Sequence, residues 1–420
     1  MKFNPFALLM LFLQLSIPGS KIHATEITAE NLRTFLETKN SRIAAAKLEA
    51  VAATNLKRTL VRTLLPDVEL YGAQETFKVG NQDQTQQPTY GAEAKINIYN
   101  GGQDQLQTEI INLESERADF NFLKTQAEEL ATARTLYWQI LYAKANLALL
   151  KSALAVNLQN IKSAERRILN GVATESDRVE FEMQTVALNL GLETANLNLK
   201  IYLRNLAALL NFDDPSQLQF SENLTHEHDV DALLAQATKA QAYLFKETEL
   251  LSDIKSLEAH KQKRLAWPKL DAFAAHNQYN QREKDPAAAE ARTESVLGVR
   301  VSVNLSSVFE SHYQSTSLFL ASQSAKLLAG QIKKEVEVQI KNETDELTLL
   351  HNQVHAAEAN IARAEKYYKL TQSEYSRGVK NSPDVLGASE KLYEMKNKLN
   401  EILRDFQITK TRIFMKIEKQ

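Results

Sequence analysis

The feature that most constrains the fold is one long uninterrupted helical stretch. Residues 101–170 open with Gly101 and Gly102 and then contain neither glycine nor proline until Gly171. Apolar side chains, many of them alanine, recur there at steps of three, four and seven, as in closely packed long helices. Such a helix would be about 100 Å long at ~1.5 Å per residue, whereas helices of globular proteins average ~10–14 residues. The stretch therefore predicts a rod, a coiled coil or a helical tube rather than a compact enzyme.

Strand-like segments precede this helix. Residues 90–99 alternate, with tyrosine, alanine and isoleucine on one face and Gly91, Glu93, Lys95 and Asn97 on the other. A period of two over this length predicts a strand with one apolar and one polar face. Residues 67–77, which follow Pro66, are a second strand candidate, and the polar residues between the two segments indicate a loop.

The whole arrangement occurs twice in the chain. Residues 298–305 repeat the alternation of residues 91–98, and the turn that begins at Gly378 repeats the one that begins at Gly171, both at an offset of 207. Pro268 opens a segment similar to the one after Pro66, and a second proline-free helical stretch follows. Landmarks that recur in the same order indicate an internal duplication.

The duplication sets the predicted domain organisation. The predicted parts are a signal peptide (1–24), a first repeat (25–210), an irregular equatorial linker (211–229) and a second repeat (230–420). In the first repeat we predict a helix over residues 25–65, strands near 66–78 and 89–99, the long helix 101–170, a tip at 171–176 and a return helix. In the second repeat we predict a helix from about residue 230 to 266, strands near 268–280 and 294–305, a long helix 306–377, a tip at 378–383 and a closing helix.

The first 24 residues have the pattern of a secretory signal. Lys2 is followed by an apolar core at residues 6–17, a break at Pro18 and Gly19, and a small residue, Ala24, before a plausible cleavage point. A retained anchor helix is the alternative, although the apolar core is short for one. No other run reaches the ~18 apolar residues of a membrane-spanning helix. If the mature protein lies in a membrane, strands must carry it there.

Composition and motifs give no sign of an enzyme. The chain has no cysteine, and its net charge of −2 gives no reason to expect nucleic acid as a partner. There is no glycine-rich phosphate loop, and we predict no cofactor. His351 and His355 are four residues apart, and His226 lies in a polar run with another histidine, so either set could bind a metal. The helical pair lacks the nearby acid of a zinc motif, so we expect solvated histidines there. For His226 and the residues that follow it to Asp229 we expect a polar loop, and we predict no metal site.

Four strands per chain are too few to close a barrel. Small barrels need ~8 strands, and an open sheet edge in lipid would leave backbone groups unpaired. Two chains would supply eight strands and three chains twelve. In such a barrel the apolar face would contact lipid and the polar face would line the lumen, with Glu93, Lys95, Arg300 and Asn304. The alternative is a soluble sandwich in which the apolar faces bury each other.

The sequence resembles the TolC-like outer-membrane factor family, the outer membrane efflux proteins. The resemblance rests on the duplicated order, on the run Tyr99 to Gly102 after the second strand, and on the paired turns at residues 170–177 and 375–386. It implies a mainly α fold with a small β part and an internal duplication. Three chains would form a 12-stranded transmembrane β-barrel in the outer membrane and a long antiparallel α-helical barrel in the periplasm.

The resemblance also implies partners and site residues. Family members dock on a periplasmic adaptor coupled to an inner-membrane pump, and they serve efflux or type I secretion. The matching docking residues at the tips are Gly171, Val172, Gly378 and Val379. The matching residues of the periplasmic gate are Asp177, Ser176, Tyr375, Lys380 and Asp384. Gly387 stands where some members carry a second acidic residue, so a double acidic ring is not expected.

Simpler interpretations of these residues remain open. The tip glycines suit turns that need a positive φ, and both aspartates lie where a helix N-terminus favours an acid. A second function also remains open, a periplasmic coiled-coil scaffold or adaptor without its own barrel. An adaptor should carry a lipoyl-like β-domain between its helices, and the sequence contains no such segment. The cargo, whether drug, metal ion or secreted protein, cannot be inferred from the sequence.

Overall fold

A computed structural model of the chain describes residues 25–77, 85–226, 241–280 and 291–417. The helices are α1 Leu32–Lys39, α2 Ser41–Leu56, α3 Gln103–Leu169, α4 Glu175–Leu209, α5 Lys246–Lys263, α6 Ser306–Ser376 and α7 Ser382–Ile417. The strands are β1 Thr25–Glu26, β2 Asp67–Phe77, β3 Thr85–Asn100, β4 Leu218–Gln219, β5 Lys269–Asn280 and β6 Ala291–Ser302. The predicted signal peptide and residues 227–240 lie outside the described residues.

Both predicted long helices are present. The α3 helix has 67 residues and α6 has 71, with ends close to the predicted ones. At the start of α3, Gly101 and Gly102 have positive φ of 63° and 71°. A side chain at Gly101 would also lie 3.0 Å from Trp267 Cβ. The strand therefore turns into the helix in a space that only glycine fits without strain.

The N-terminal segment differs from the single helix predicted for residues 25–65. Residues 25–26 form β1, which pairs in parallel with β4. The helix is then interrupted at Asn40, whose side chain accepts a hydrogen bond from the Ile43 amide at 2.9 Å and so begins α2. Asn40 Nδ2 also donates to Glu129 at 3.0 Å. A capping side chain with a long-range partner overrides the helical pattern here.

Two further predicted segments differ from the structure. Strand β4 lies inside the linker predicted to be irregular. The helix predicted from residue 230 to 266 is described only from residue 241, where a short 3₁₀ turn at Ala242–Leu244 precedes α5.

The four long strands form one antiparallel sheet in the order β2-β3-β5-β6. Each repeat supplies one hairpin, and the β3–β5 pair joins the hairpins, with Ala94 opposite Ala274. The register places the alternating apolar residues of β3 on the same face as Leu70 of β2, Ala274 of β5 and Leu297 of β6, as the alternation predicts. Phe273 and Val296 are apolar residues that lie on the other face. On the apolar face, Leu70 is 80% exposed, Leu297 86% and Val299 65%. The apolar face of the sheet is therefore uncovered in the single chain.

The chain divides into two compact units, each built from three segments. The tip unit contains residues up to Phe35, Ala133–Thr225 and Ala357–Arg404, and the sheet unit contains Leu36–Thr132, His226–Ala356 and the segment from Asp405. In the tip unit, Phe181 and Val385 are fully buried in a small apolar core. Among the described residues, no helix has the length and apolarity needed to cross a membrane.

Candidate functional sites at the tip turns and the sheet

The two tip turns have the same backbone hydrogen bonds. At the first turn, which joins α3 to α4, Gly171 N donates to Ile168 O at 3.0 Å and Val172 N donates to Arg167 O at 3.0 Å. At the second turn, between α6 and α7, Gly378 N donates to Tyr375 O at 3.0 Å and Val379 N to Glu374 O at 2.9 Å. Both are Schellman motifs, in which a glycine with positive φ ends a helix.

The predicted docking residues lie at the surface of these turns. Gly171 and Gly378 have φ of 70° and 81°, which fits the turn-geometry interpretation. A side-chain carbon at either position would meet no heavy atom of the described residues within 4 Å. Val172 is 59% exposed and Val379 70%. Each turn thus presents a glycine and a valine that a partner could reach.

The two predicted gate aspartates begin the helices that follow the turns. The Asp177 carboxylate accepts from the Thr174 amide at 2.8 Å, and the Asp384 carboxylate accepts from the Asn381 amide at 3.2 Å. Each aspartate thus satisfies a backbone donor at a helix N-terminus, where negative charge is favoured. The capping interpretation holds for both residues.

Asp177 also connects the first turn to the second. Its Oδ1 accepts from the Ser382 hydroxyl at 2.5 Å and from the Ser382 amide at 3.3 Å. The same hydroxyl lies 2.7 Å from Glu180 Oε2. Burial alone would raise the pKa of Asp177, but the hydrogen bonds from Ser382 and Thr174 outweigh it and hold the pKa below its usual value. Asp177 is therefore a charged link between α4 and α7.

Tyr375 lies in the apolar core beneath the turns. Its side chain is 3% exposed, and its ring packs edge to face against Phe181, with 6.3 Å between ring centroids. The Arg167 guanidinium stacks 4.0 Å from the Tyr375 ring centroid and donates to the Tyr375 carbonyl. Burial raises the pKa of Tyr375; the Arg167 charge opposes that shift and the Asp177 charge adds to it. Arg167 thus fastens the end of α3 to the end of α6.

The remaining gate residues are less constrained. Lys380 Nζ lies 3.5 Å from Asp384 Oδ1, and both side chains are about 40% exposed, at 41% and 39%. An ion pair this exposed contributes little, about 0–1 kcal/mol. Ser176 is exposed. The structure thus brings Lys380 to Asp384 within the second turn, and it links Asp177 to Ser382.

Sequence reasoning missed Ser382, Glu180 and Arg167. Ser382 stands at the start of α7, where a serine is expected for helix capping, so its long-range bond to Asp177 had no separate signal. Arg167 lies in the last turn of α3, where a basic residue is expected to interact with the helix dipole. Only the packing of the four helix ends shows that these residues connect the two repeats.

The residues predicted to line a lumen share the polar face of the sheet, with one exception. Lys95 Nζ lies 3.1 Å from Asp271 Oδ2, and the Arg300 guanidinium stacks 4.6 Å from the Phe273 ring centroid. Glu93 is on the same face, opposite Glu69. Asn304 instead lies beyond the end of β6, where its Oδ1 accepts from the Ser306 amide at 3.1 Å. Asn304 caps α6 because the strand ends at Ser302, earlier than predicted.

Comparisons with solved structures identify the fold. CusC, whose crystal structures concern folding and transmembrane channel formation, has a TM-score of 0.79 at 12% identity and covers 93% of this chain and 92% of its own. The outer membrane protein VceC from Vibrio cholerae has a TM-score of 0.78 at 15% identity, and the match covers 92% of this chain and 95% of VceC. The Campylobacter jejuni CmeC outer membrane channel has a TM-score of 0.79 at 12% identity, and the match covers 93% of this chain and 87% of CmeC.

These structures share the fold of this chain over nearly its whole length, which confirms the predicted mainly α fold with a small four-stranded part. The structure of CusC is described in terms of transmembrane channel formation, VceC as an outer membrane protein and CmeC as an outer membrane channel. No family model and no curated protein matches the sequence.

Proposed function

We propose that the chain is one subunit of a homotrimeric outer-membrane channel that exports substrates from the periplasm, or from a docked inner-membrane pump and its adaptor. Three copies would place twelve strands in a closed barrel within outer-membrane lipid, and the long helices would form a tunnel in the periplasm. Efflux and type I secretion are both compatible with such a duct.

The observation that carries the proposal is the uncovered apolar face of the sheet. The strands contain 11, 16, 12 and 12 residues, and a tilted strand needs ~9–11 residues to cross a bilayer. Leu70, Leu297 and Val299 protrude from this face. The opposite face carries Lys95, Asp271 and Arg300, as expected for a surface that lines water. Closure with two further copies would pair the edges of β2 and β6, which have no partner strand among the described residues.

The tip turns support the part of the proposal that concerns docking to an adaptor and closure of the tunnel. Two matching turns, each with an exposed valine beside a glycine, offer small surfaces to a partner, and we assign them to adaptor docking. The hydrogen bonds between Asp177 and Ser382 and the stacking of Arg167 on Tyr375 hold helix ends of the two repeats together. We assign this cluster to the periplasmic gate, since loosening it would let the helix ends separate.

The experiment that tests the proposal measures assembly and conduction on the full-length chain. The protein is expressed in a Gram-negative host, and the membranes are washed with carbonate and extracted in mild detergent. We expect retention in the outer-membrane fraction, a mass of three chains by light scattering, and discrete conductance steps in planar bilayers. Release by carbonate together with a monomeric or dimeric mass would contradict the channel and favour the periplasmic scaffold.

A further inference from the structure

Three histidines that are far apart in the sequence meet in the sheet unit. His351 and His355 are one helical turn apart on α6, so their side chains share one face of the helix. His226 approaches from the segment that follows β4. One ring nitrogen from each histidine lies within 4.8 Å of the other two. Two of the three histidines are partly buried and His355 is exposed.

The three histidine rings lie close to one another. The centroid of His226 lies 5.8 Å from that of His351 and 5.5 Å from that of His355, and the two helical rings are 5.0 Å apart. His226 also packs edge to face against Phe406, which is buried, with 6.2 Å between centroids. Phe406 thus supplies an apolar wall that limits how far His226 can turn away from the pair on α6.

One nitrogen of this cluster has no hydrogen-bond partner among the described residues. His351 Nδ1 is buried and unpaired. A buried polar atom without a partner is unfavourable and uncommon, and it indicates either a water molecule or an ion. Imidazole nitrogen is a common ligand of zinc, nickel and copper ions, so three imidazoles this close together suit such a cation.

We propose that His226, His351 and His355 bind one divalent transition-metal ion of the zinc, nickel or copper class. Metal–nitrogen bonds of ~2.0–2.1 Å require ligand nitrogens about 3.4 Å apart in a tetrahedron, which small side-chain rotations would reach from the observed spacing. Three imidazoles leave a fourth position for water. A site made only of imidazole nitrogen does not suit magnesium or calcium, which prefer oxygen ligands.

The site would fasten the segment at His226 to α6. The two helical ligands are held by the helix, whereas His226 lies in an irregular segment. Metal binding would therefore restrain His226 against α6. This role goes beyond the export function, because the ion is held by the chain as a structural clamp and is distinct from any transported cargo.

The test is a metal titration of the full-length protein purified in detergent without a polyhistidine tag. Cobalt(II) serves as the optical probe, and zinc is then added to displace it. We expect one ion per chain, a visible absorption band typical of low-coordinate cobalt, and loss of the band on addition of zinc. Each of His226→Ala, His351→Ala and His355→Ala should weaken binding more than about a hundredfold, since loss of an outer-shell partner alone weakens binding 10–100-fold.

His312→Ala is the matched control, because His312 is also an exposed histidine on α6 and lies outside the cluster. It should leave the stoichiometry and affinity unchanged. A second readout is cleavage by a protease near residue 226, which saturating zinc should slow in the wild-type chain but not in His226→Ala. Absence of stoichiometric binding, or full binding in His226→Ala, would overturn the site. Trimer mass and conductance are measured on the same samples, so failure of the channel proposal is seen separately.

Discussion

The hydroxyl of Ser382 determines how the two tip turns are held together. It lies within hydrogen-bond distance of two carboxylates, Asp177 and Glu180, yet it has only one hydrogen to donate. The Ser382 amide supplies a second donor to Asp177. One residue of α7 thus brings two donors, its hydroxyl and its amide, to two carboxylates on α4.

Ser382→Ala should loosen this link. Removing a donor from a charged, partly buried acceptor costs about 1–3 kcal/mol, and the two carboxylates would then face each other with one donor fewer. We expect a channel that opens more readily, seen as at least a twofold rise in mean single-channel conductance or in uptake of a large antibiotic. Ser176→Ala is the control, since Ser176 is exposed. Equal conductance in wild type and Ser382→Ala would remove this bond from the gate.

The link through Asp177 should respond to acid. Hydrogen bonds hold the pKa of Asp177 below its usual value of 3.8. The stabilisation that the charged carboxylate gives to the folded tip is therefore fully present above pH 3.8, and it is lost as the pH falls through the lowered pKa. We expect the wild-type conductance to be unaffected by this group from pH 7 to about pH 4, and to rise at lower pH as the carboxylate becomes protonated and the link weakens. In Asp177→Asn this part of the pH dependence should disappear. Identical pH profiles for the two proteins would contradict the assignment.

The tip glycines and a helical glycine should respond oppositely to alanine. Gly171→Ala and Gly378→Ala place a side chain at positive φ, which costs about 1–2 kcal/mol although space is available. Gly387→Ala lies within α7, where alanine is favoured over glycine by about 0.8–1.0 kcal/mol, and nothing described lies within 4 Å of the added carbon. Thermal unfolding in detergent should show lower midpoints for the first two variants and a higher one for the third.

At the scale of helices and strands, signals within a short stretch of sequence predicted the bounds of the long helices and the apolar face of the strands. Glycine and proline spacing predicted α3 and α6 to within two residues at either end, and period-two alternation predicted the face of β3 that carries Ile96. The break at Asn40 depends on a hydrogen bond to Glu129, and strand β1 depends on its pairing with residues 218–219. Both partners lie far away in the sequence. Contacts of that kind leave no periodic trace, so the first helix was predicted too long.

The same distinction applies to the candidate site. The glycines and the capping acids are required by their own turns, so the sequence indicates them. The partners Arg167 and Ser382 look like ordinary helix-terminal residues and acquire their roles only when the four helix ends pack together. The histidine cluster is similar, because the pair on α6 is visible in the sequence and its approach to His226 is not.

The two faces of β6 offer a sharp test of membrane insertion. Leu297 belongs to the apolar face and its neighbour Val296 to the polar face. Leu297→Lys should cost about 2–4 kcal/mol per subunit if this face meets the bilayer midplane, whereas Val296→Lys should be tolerated. We expect trimer yield in the outer-membrane fraction to fall several-fold for the first variant only. Similar yields from both variants would contradict a lipid-facing role for Leu297.

At the scale of the whole molecule, the duplication gives each subunit two hairpins and two tip turns. Val172 and Val379 occupy equivalent places after their glycines. Val172→Asp combined with Val379→Asp would put charge on both exposed apolar points, and we expect loss of adaptor co-purification by tenfold or more. Trimer mass and conductance should be unchanged, which separates lost docking from misfolding. Undiminished capture of the adaptor would exclude the turns as its contact.

The β3–β5 pair also determines when the sheet can be completed during synthesis. Asn97 lies opposite Asp271, so β3 is made long before its partner strand. Until residue 302 has been synthesised, the first hairpin has an open edge and an uncovered apolar face. The sheet can therefore be completed only late in synthesis, whereas α3 can form as soon as its own residues have been made, because helix formation is fast.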